Sequence, residues 1–211
     1  NEIDEYKQLF DTEFKKVAEA DSKYEIVGSY RRGKKMSGDI DVIITSKNPE
    51  IFNTFFDRLK ETNIIVEVLS KGNTKSMVIG KRKKDSTARR IDFMYSPPEE
   101  YPFAILYFTG SKAFNTVMRA HALKQNISLN EHGMYEKTKG KEKGKKLEKQ
   151  FISEKDIFND LGLQYKEPEE RTDGTAVKPI KSQEKPLETE TNIQVEKKEI
   201  KPKRKYKKKK K

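Results

Sequence analysis

Two aspartates, Asp39 and Asp41, stand two residues apart at the start of a short run of β-branched residues. Because side chains alternate along a strand, a strand here would turn both carboxylates to the same face. Two close carboxylates repel each other and raise each other's pKa unless a cation neutralises them. Mg²⁺ takes carboxylate oxygens and leaves its other positions to water and substrate phosphates. The pair therefore predicts a site for divalent cations.

A third aspartate, Asp92, lies in the segment RRIDF, which is also rich in strand-forming residues. A neighbouring strand of the same sheet would bring its carboxylate to the same face as Asp39 and Asp41. Three carboxylates around two metal ions suit phosphoryl or nucleotidyl transfer, in which the ions carry most of the chemistry. Such a reaction needs no nucleophilic serine or cysteine.

The residues before the acid pair suit phosphate binding. Gly28 and Ser29 predict a tight turn with free backbone N–H groups and a hydroxyl, and the guanidinium groups of Arg31 and Arg32 match phosphate oxygens. Gly38 would let a phosphate or metal ion approach the backbone. Taken singly, an Asp-x-Asp pair is more often a solvated strand end, and a Gly-Ser pair is usually only a turn. Their combination predicts a site for a metal-bound triphosphate.

Hydrophobic periodicity predicts the elements that position these residues. Apolar residues at spacings of three and four predict helices over residues 3–20, from 48–49 onward, over 102–108 and 112–124, and from 153 onward. Short β-branched runs predict strands over residues 24–27, 39–45, 64–69, 76–81 and 89–95, and a hairpin over 127–135. This order predicts an α+β fold of two subdomains, with a boundary near the Pro97–Pro98 pair.

Composition narrows the possible classes of protein. The 211 residues carry 46 Lys and Arg against 34 Asp and Glu, a formal net charge of +12, and 33% are hydrophobic, which excludes a large compact enzyme. The absence of cysteine excludes disulfides, a thiolate nucleophile and Cys-based zinc sites, and favours a reducing intracellular compartment. No run of about 18 apolar residues occurs, so we expect a soluble protein with no membrane partner.

Most of the excess positive charge lies in the last part of the chain, which ends in KPKRKYKKKKK. This part is rich in Lys, Glu and Pro and has few aromatic residues, so we predict a disordered basic tail over residues 174–211. The simplest interpretation is a solvated tail that aids solubility. A nuclear localisation signal and a salt-sensitive tether for polyanions are the functional alternatives.

Five blocks of sequence, in this order, resemble DNA polymerase family X, the group that contains polymerases beta, lambda and mu. The blocks are GSYRRGKKMSGDIDV, RRIDF, LYFTGSKAFNTVMRAHA, SLNEHGMY and EKDIFNDLGLQYKEPEERTDG. The resemblance covers residues 1 to 173. It implies a nucleotidyltransferase-type palm over residues 1–98, with a mixed or antiparallel sheet and two helices, and a small α+β thumb over residues 99–173.

The resemblance also implies a role for each matching residue. The residues implied to bind two metal ions and to act on a primer 3′-hydroxyl are Asp39, Asp41 and Asp92, with Arg90 as the partner of Asp92. Those implied to hold the incoming nucleotide are Gly28, Ser29, Arg32, Gly38, Tyr107, Phe108, Gly110 and Asn115, the peptide bond after Gly110 being cis in the family. Those implied to contact DNA are Lys112 and Arg119.

The implied activity is DNA-directed DNA synthesis from dNTPs with two Mg²⁺ ions, for which Mn²⁺ could substitute. The implied setting is short gap filling in DNA repair, by base excision repair or end joining. A monomer would act there on primer-template or gapped DNA with a DNA ligase and other repair proteins. We expect a nuclear protein, or a cytoplasmic or virion protein if the chain is viral. The alternatives are a nucleotidyltransferase that works without a template or on another acceptor, and an inactive nucleic-acid-binding scaffold.

The sequence departs from polymerase beta at two positions. Lys112 replaces an acid and resembles the lysine of the mu and terminal-transferase branch, and Met94 stands in place of an arginine. Only residues 70–75 are available for the long loop of template-independent members, which favours templated synthesis. No lyase or fingers domain is visible, so we expect either a minimal polymerase of the kind that large DNA viruses encode or the C-terminal part of a longer chain.

Overall fold

The computed structural model describes residues 2–138 and 144–180. The first elements are α1 (Glu2–Phe14), β1 (Lys23–Ile26), α2 (Gly28–Arg31), β2 (Ile40–Thr45), α3 (Glu50–Glu61), β3 (Ile65–Lys71), β4 (Lys75–Gly80) and β5 (Arg89–Tyr95). The later elements are α4 (Tyr101–Thr109), α5 (Lys112–Lys124), β6 (Ile127–Asn130), β7 (Gly133–Glu136) and α6 (Glu154–Asp160), then 3-10 turns at Pro168–Glu170 and Gly174–Ala176. Residues 2–98 are called the sheet region below, and residues 99–180 the C-terminal region. The α+β class is as predicted.

The sheet region contains five strands in the order β1-β2-β5-β4-β3. Only β2 and β5 run parallel; the other neighbouring strands are antiparallel. A parallel pair needs a crossover connection, and here the chain passes through α3, β3 and β4 between the two strands. The parallel pair therefore lies inside the sheet, with neighbours on both sides.

Two helices, α1 and α3, cover one face of the sheet with an aromatic core. Phe10 of α1 lies 6.2 Å from Phe55 of α3 and 5.8 Å from Phe93 of β5, measured between ring centroids. Val42 of β2 is fully buried in the same cluster. Because side chains alternate along a strand, burying Val42 and Phe93 on this face turns the residues before them, Asp41 and Asp92, to the opposite face.

The C-terminal region has its own core, built where α5, α6 and the β6–β7 hairpin pack together. Phe114 and Met118 of α5 lie a turn apart and are buried with Phe158 of α6. Ser153 and Asp156 form the predicted capping box at the start of α6. A further apolar cluster, which includes Ile43 of the sheet region and Ile105 of α4, joins the two regions.

Three predictions differ from the structure. Helix α1 ends at Phe14 and not at residue 20, because the N–H groups of both Val17 and Ala18 donate to the Phe14 carbonyl and tighten the chain into turns. The turn predicted at Gly28 is a short helix, α2.

Disorder from residue 174 is wrong for residues 174–180. This segment packs on the C-terminal region: Gln164 N donates to Lys178 O, Ile180 N donates to Gly162 O, and Ala176 is buried. The rest of the predicted tail, residues 181–211, lies outside the described residues. None of the helices described is both long and apolar enough to cross a membrane.

Candidate active site

The three predicted acids meet on the open face of the sheet. Asp41 of β2 and Asp92 of β5 are direct partners in the parallel ladder, so their side chains stand next to each other. Asp39 precedes β2 by one residue and, at a spacing of two from Asp41, lies on the same side. The strand register thus brings Asp41 and Asp92 together, and the charge of Asp39 acts on Asp41 from the start of the same strand.

The Asp41 carboxyl shows the electrostatic result of this convergence. Burial, followed by the negative charges of Asp39 and Asp92, raises the pKa of Asp41 to about 6, and only Arg90 and Lys75 act in the opposite direction. Among the described residues, no side chain or N–H group donates a hydrogen bond to the carboxylates of Asp39 or Asp41. Arg90 and Lys75 therefore offset the negative charge of the pair only in part, and without a hydrogen bond from the described residues.

Asp92 is held differently from the other two acids. Asp92 is buried, and Arg90 contacts both of its carboxylate oxygens: Nε donates to Oδ1 at 2.9 Å and Nη2 donates to Oδ2 at 2.7 Å. Such a two-pronged contact fixes the plane of the carboxylate. Each oxygen keeps a further lone pair, so Asp92 can still accept one more partner on each side.

The carboxylates of Asp39 and Asp41 suit a hard divalent cation, whereas that of Asp92 is already shared with Arg90. Asp39 and Asp41 offer oxygen ligands with no competing partner, and a cation would relieve the repulsion that raises the pKa of Asp41. The described residues contain no group of three His, Cys, Asp or Glu side chains already arranged to hold a metal ion. Asp39 and Asp41 would thus hold the cation first, and Asp92 would share its carboxylate between the cation and Arg90.

The chain segment that leads into α2 passes directly against Asp41. Gly28 has φ of +63°, and a Cβ at this position would lie 2.6 Å from Asp41 Oδ2. A larger residue would therefore be both strained and in collision with the carboxylate. Val27 N donates to the Asp41 carbonyl at 2.8 Å, and the Ser29 hydroxyl lies 2.5 Å from that of Ser37. The backbone and hydroxyl at 28–29 are thus placed beside the acids, as predicted for a phosphate loop.

The two arginines of α2 have different environments. Arg32 lines the same cleft as the acids: its Nη1 donates to the Thr109 carbonyl, while its buried Nε has no hydrogen-bond partner among the residues that the structure describes. Burial lowers the pKa of Arg32, and the charge of Asp41 opposes this effect. An N–H group of a buried guanidinium with no acceptor favours an anionic ligand. A second phosphate-binding guanidinium at Arg31 was a wrong expectation, because Arg31 is fully engaged with Glu25, Glu154 and Thr109.

A cleft of about 770 Å³ opens between the acids, α2 and the α4–α5 turn. The predicted site residues that line it are Gly28, Ser29, Arg32, Asp39, Asp41, Tyr107, Phe108, Gly110, Lys112, Asn115 and Arg119. Asp92 and Arg90 lie beside it on the sheet. Gly38 is exposed, and a Cβ there would meet nothing within 4 Å, so the space around it does not require a glycine.

The cleft also contains three residues of α5 that the motifs did not single out, namely Thr116, Ala120 and Leu123. Thr116 and Ala120 follow Lys112 at intervals of four residues, which places Lys112, Thr116 and Ala120 on one face of the helix. This spacing was the signal that could have identified them. They extend the lining of the cleft along α5, away from the acids.

The turn between α4 and α5 shapes the far wall of the cleft. The peptide bond from Gly110 to Ser111 is cis, as the resemblance implied. Ser111 N donates to the Arg171 carbonyl at 3.1 Å, and Asn115 Nδ2 donates to the Tyr107 carbonyl at 2.6 Å. The Asn115 side chain is thus oriented by α4, and no group within residues 2–138 and 144–180 donates a hydrogen bond to its amide oxygen.

Comparison with known proteins agrees with this geometry. Two family models match the chain: DNA polymerase beta palm over residues 1–98 and DNA polymerase beta thumb over residues 104–172. DNA polymerase lambda of Rattus norvegicus is 34% identical over an alignment of 158 residues that covers 68% of this chain and 28% of that protein. DNA nucleotidylexotransferase of Xenopus laevis is 30% identical over an alignment of 194 residues that covers 72% of this chain and 36% of that protein. The chain spans about a third of the length of these relatives.

Proposed function

The chain belongs to DNA polymerase family X, and on this basis we propose that it adds deoxynucleotides to a primer 3′-hydroxyl under the direction of a template. One observation carries the proposal: Asp41 and Asp92 are partners on parallel strands and stand beside a cleft that also contains Ser29 and Arg32. Carboxylates on one side and phosphate-binding groups on the other are what a transfer between a hydroxyl and a triphosphate requires.

Each residue of the site has a separate role in this proposal. The carboxylates of Asp39, Asp41 and Asp92 would hold two Mg²⁺ ions, for which Mn²⁺ could substitute. When bound, such ions activate the primer hydroxyl and neutralise charge on the triphosphate. The carboxylate of Asp92, oriented by Arg90, faces the primer hydroxyl.

The other walls of the cleft suit the rest of the nucleotide and the DNA. The Ser29 hydroxyl and the unpaired Nε of Arg32 donate to the β and γ phosphates. Tyr107 and Phe108 pack under the sugar. The free amide oxygen of Asn115 reads the base edge, while Lys112 and Arg119 contact DNA phosphates and bases.

Template-directed synthesis is favoured over untemplated addition by the turn between β3 and β4. Strand β3 ends at Lys71 and β4 begins at Lys75, so the connection is a turn too short to occupy the place of a template strand. Untemplated addition is the second candidate function. It is favoured by the similarity to proteins named DNA nucleotidylexotransferase and by Lys112 in the cleft.

We further propose short gap filling in DNA repair as the setting. A DNA ligase and other repair proteins would act on the same gap, and the protein would work as a monomer in the nucleus. The basic segment 181–211 would tether the protein to DNA by contacts with phosphates. Deleting that segment should then lower DNA affinity and flatten its dependence on salt, because fewer counterions are released on binding.

The central experiment is insertion of one nucleotide with Mg²⁺, on a duplex with a one-nucleotide gap and on a single-stranded primer. We expect incorporation of the templated nucleotide on the gapped duplex, and loss of at least 100-fold in Asp41→Ala and Asp92→Ala. Efficient addition to the single-stranded primer would instead favour untemplated addition over template-directed synthesis. Equal incorporation by the wild type and both variants would show that neither transferase activity belongs to this site.

A further inference from the structure

A buried ion network surrounds Arg31, the arginine of α2 that does not face the cleft. Arg31 donates from Nε to Glu25 at 2.8 Å and from Nη1 and Nη2 to Glu154 at 3.0 and 2.7 Å. Glu154 also accepts from Arg171 Nη1 at 2.5 Å, and Arg171 is fully buried. Burial opposes ionisation of Glu154, but hydrogen bonds from Arg31 and the charge of Arg171 outweigh it and lower the pKa of Glu154. The network is thus charged and fully paired.

Thr109, the last residue of α4, connects this network to the cleft. Its hydroxyl accepts from Arg31 Nη1 at 2.7 Å and donates to the Ile105 carbonyl at 2.5 Å. Its carbonyl accepts from Arg32 Nη1. Thr109 is completely buried. One residue therefore receives both arginines of α2, Arg31 on its side chain and Arg32 on its backbone.

The far end of the same turn is held by the same network. Ser111 N donates to the carbonyl of Arg171, the residue that shares Glu154 with Arg31. Gly110, between the two ends, leaves room for Arg32, since a Cβ there would lie 3.0 Å from Arg32 Nη1. The turn that receives Arg32 is thus held at one end by the Arg31 guanidinium of the sheet region and at the other by the backbone carbonyl of Arg171 in the C-terminal region.

We propose that Arg31 and Thr109 are positioning residues that hold the Arg32 guanidinium in place for the triphosphate. An arginine side chain has many rotamers, and ordering it on binding costs affinity unless it is already ordered. The Thr109 carbonyl supplies that order, and Arg31 fixes Thr109 from the side away from the cleft. Because Glu154 comes from the C-terminal region, triphosphate binding would depend on how that region contacts the sheet region. This proposal rests on the proposed function.

The test is a double-mutant cycle between Thr109→Val and Arg32→Ala in the full chain. Valine keeps the shape of threonine but cannot accept from Arg31. We expect Thr109→Val to raise the KM for dNTP about fivefold, with kcat changed less than about twofold. If Thr109 acts through Arg32, the same substitution changes KM by less than about twofold when Arg32 is already alanine. Thr109→Ser, which keeps the hydroxyl, should restore nearly all of the affinity.

Two further variants separate positioning from general stability. Arg31→Lys cannot reach Glu25, Glu154 and Thr109 together, and should raise KM as Thr109→Val does. Glu25→Gln weakens the contacts of Glu25 to Arg31 Nε and to the Tyr101 hydroxyl but leaves those of Arg31 to Glu154 and Thr109, and should leave KM within about twofold of the wild type. The thermal midpoint of each variant shows whether a change in KM merely follows a loss of stability.

The affinity for dATP with Mg²⁺ can also be measured by calorimetry for the wild type, both single variants and the double variant. This measurement gives the coupling between Thr109 and Arg32 without relying on turnover. Additive effects of Thr109→Val and Arg32→Ala on dATP affinity would overturn the positioning role. A wild type that binds dATP with the expected coupling but inserts no nucleotide would instead contradict the proposed function and leave the positioning role supported.

Discussion

Replacing Asp41 with asparagine should stabilise the metal-free protein. Burial of the Asp41 carboxyl, followed by the negative charges of Asp39 and Asp92, raises its pKa from 3.8 to about 6. At neutral pH the folded protein therefore holds an ionised carboxylate in an unfavourable position. Asparagine has almost the same shape and no charge, so it removes the repulsion without leaving a cavity.

The size of the effect follows from the pKa change. A rise from 3.8 to about 6 corresponds to about 3 kcal/mol, at 1.36 kcal/mol for each pH unit. Solvent reaches part of the carboxyl and screens its neighbours, so we expect about 1–2 kcal/mol for Asp41→Asn. For a folded part of this size, that free energy raises the midpoint of thermal unfolding by about 3–6 °C.

The pH dependence has a definite sign. Between about pH 4 and pH 6 the unfolded chain has lost the proton of Asp41 while the folded protein still holds it, so the wild type loses stability as pH rises. The advantage of Asp41→Asn should accordingly be absent below about pH 4 and complete above about pH 6. Thermal unfolding followed by circular dichroism at pH 4, 5, 6 and 7, with a chelator present, measures this difference.

Magnesium and a matched variant serve as controls. Mg²⁺ that binds only the folded wild type adds stability by mass action, so millimolar Mg²⁺ should narrow or reverse the advantage of Asp41→Asn. Asp57 is exposed on α3, and Asp57→Asn should shift the midpoint by less than about 1 °C with or without Mg²⁺. An Asp41→Asn protein that is no more stable than the wild type at pH 7 in chelator would show that the three acids do not crowd one another.

Three further substitutions have expected outcomes. Arg90→Ala frees Asp92 to rotate and should lower kcat for single-nucleotide insertion about 10- to 100-fold, while thermal unfolding changes little because Arg90 is half exposed. Gly28→Ala places a methyl group against Asp41 at a strained φ, and should abolish most insertion activity and cost about 1–2 kcal/mol of stability in urea unfolding. Glu154→Ala leaves buried guanidinium groups without their carboxylate and should cost about 3–5 kcal/mol in the same assay, whereas a loss below about 1 kcal/mol would mean that water replaces the carboxylate.

Individual strands and helices were predictable where the apolar residues of each element follow a single period. Strand β5 and helix α5 have the predicted bounds, since each has apolar residues at the spacing of its own element and is bounded by turn residues. The sequence led us to expect Asp92 on a strand next to that of Asp41, but the parallel direction of the β2–β5 pair was not predicted, because nothing local specifies the direction in which two strands pair. That pairing is what places Asp92 beside Asp41.

The boundary of the tail was misjudged for a related reason. Residues 174–180 look like the rest of a polar segment, but Ala176 and Val177 fill a gap in the core beside α5. Gly174 is needed there, since a Cβ would lie 2.4 Å from Val117 Cγ2. A few apolar residues that complete the core of another element leave no periodic pattern of their own.

The two arginines of α2 show where sequence reasoning about a site reaches its limit. Arg31 and Arg32 are identical in type and adjacent, and both are suited to phosphate. On a helix, successive residues point about 100° apart, so only one of them can face the cleft while the other faces α6. Their partners show which arginine is available to a ligand. Glu154 and Glu25 neutralise Arg31, whereas Arg32 donates to a carbonyl and its Nε has no partner among the described residues. An arginine whose charge is already balanced is therefore a structural support for the one whose charge is still available.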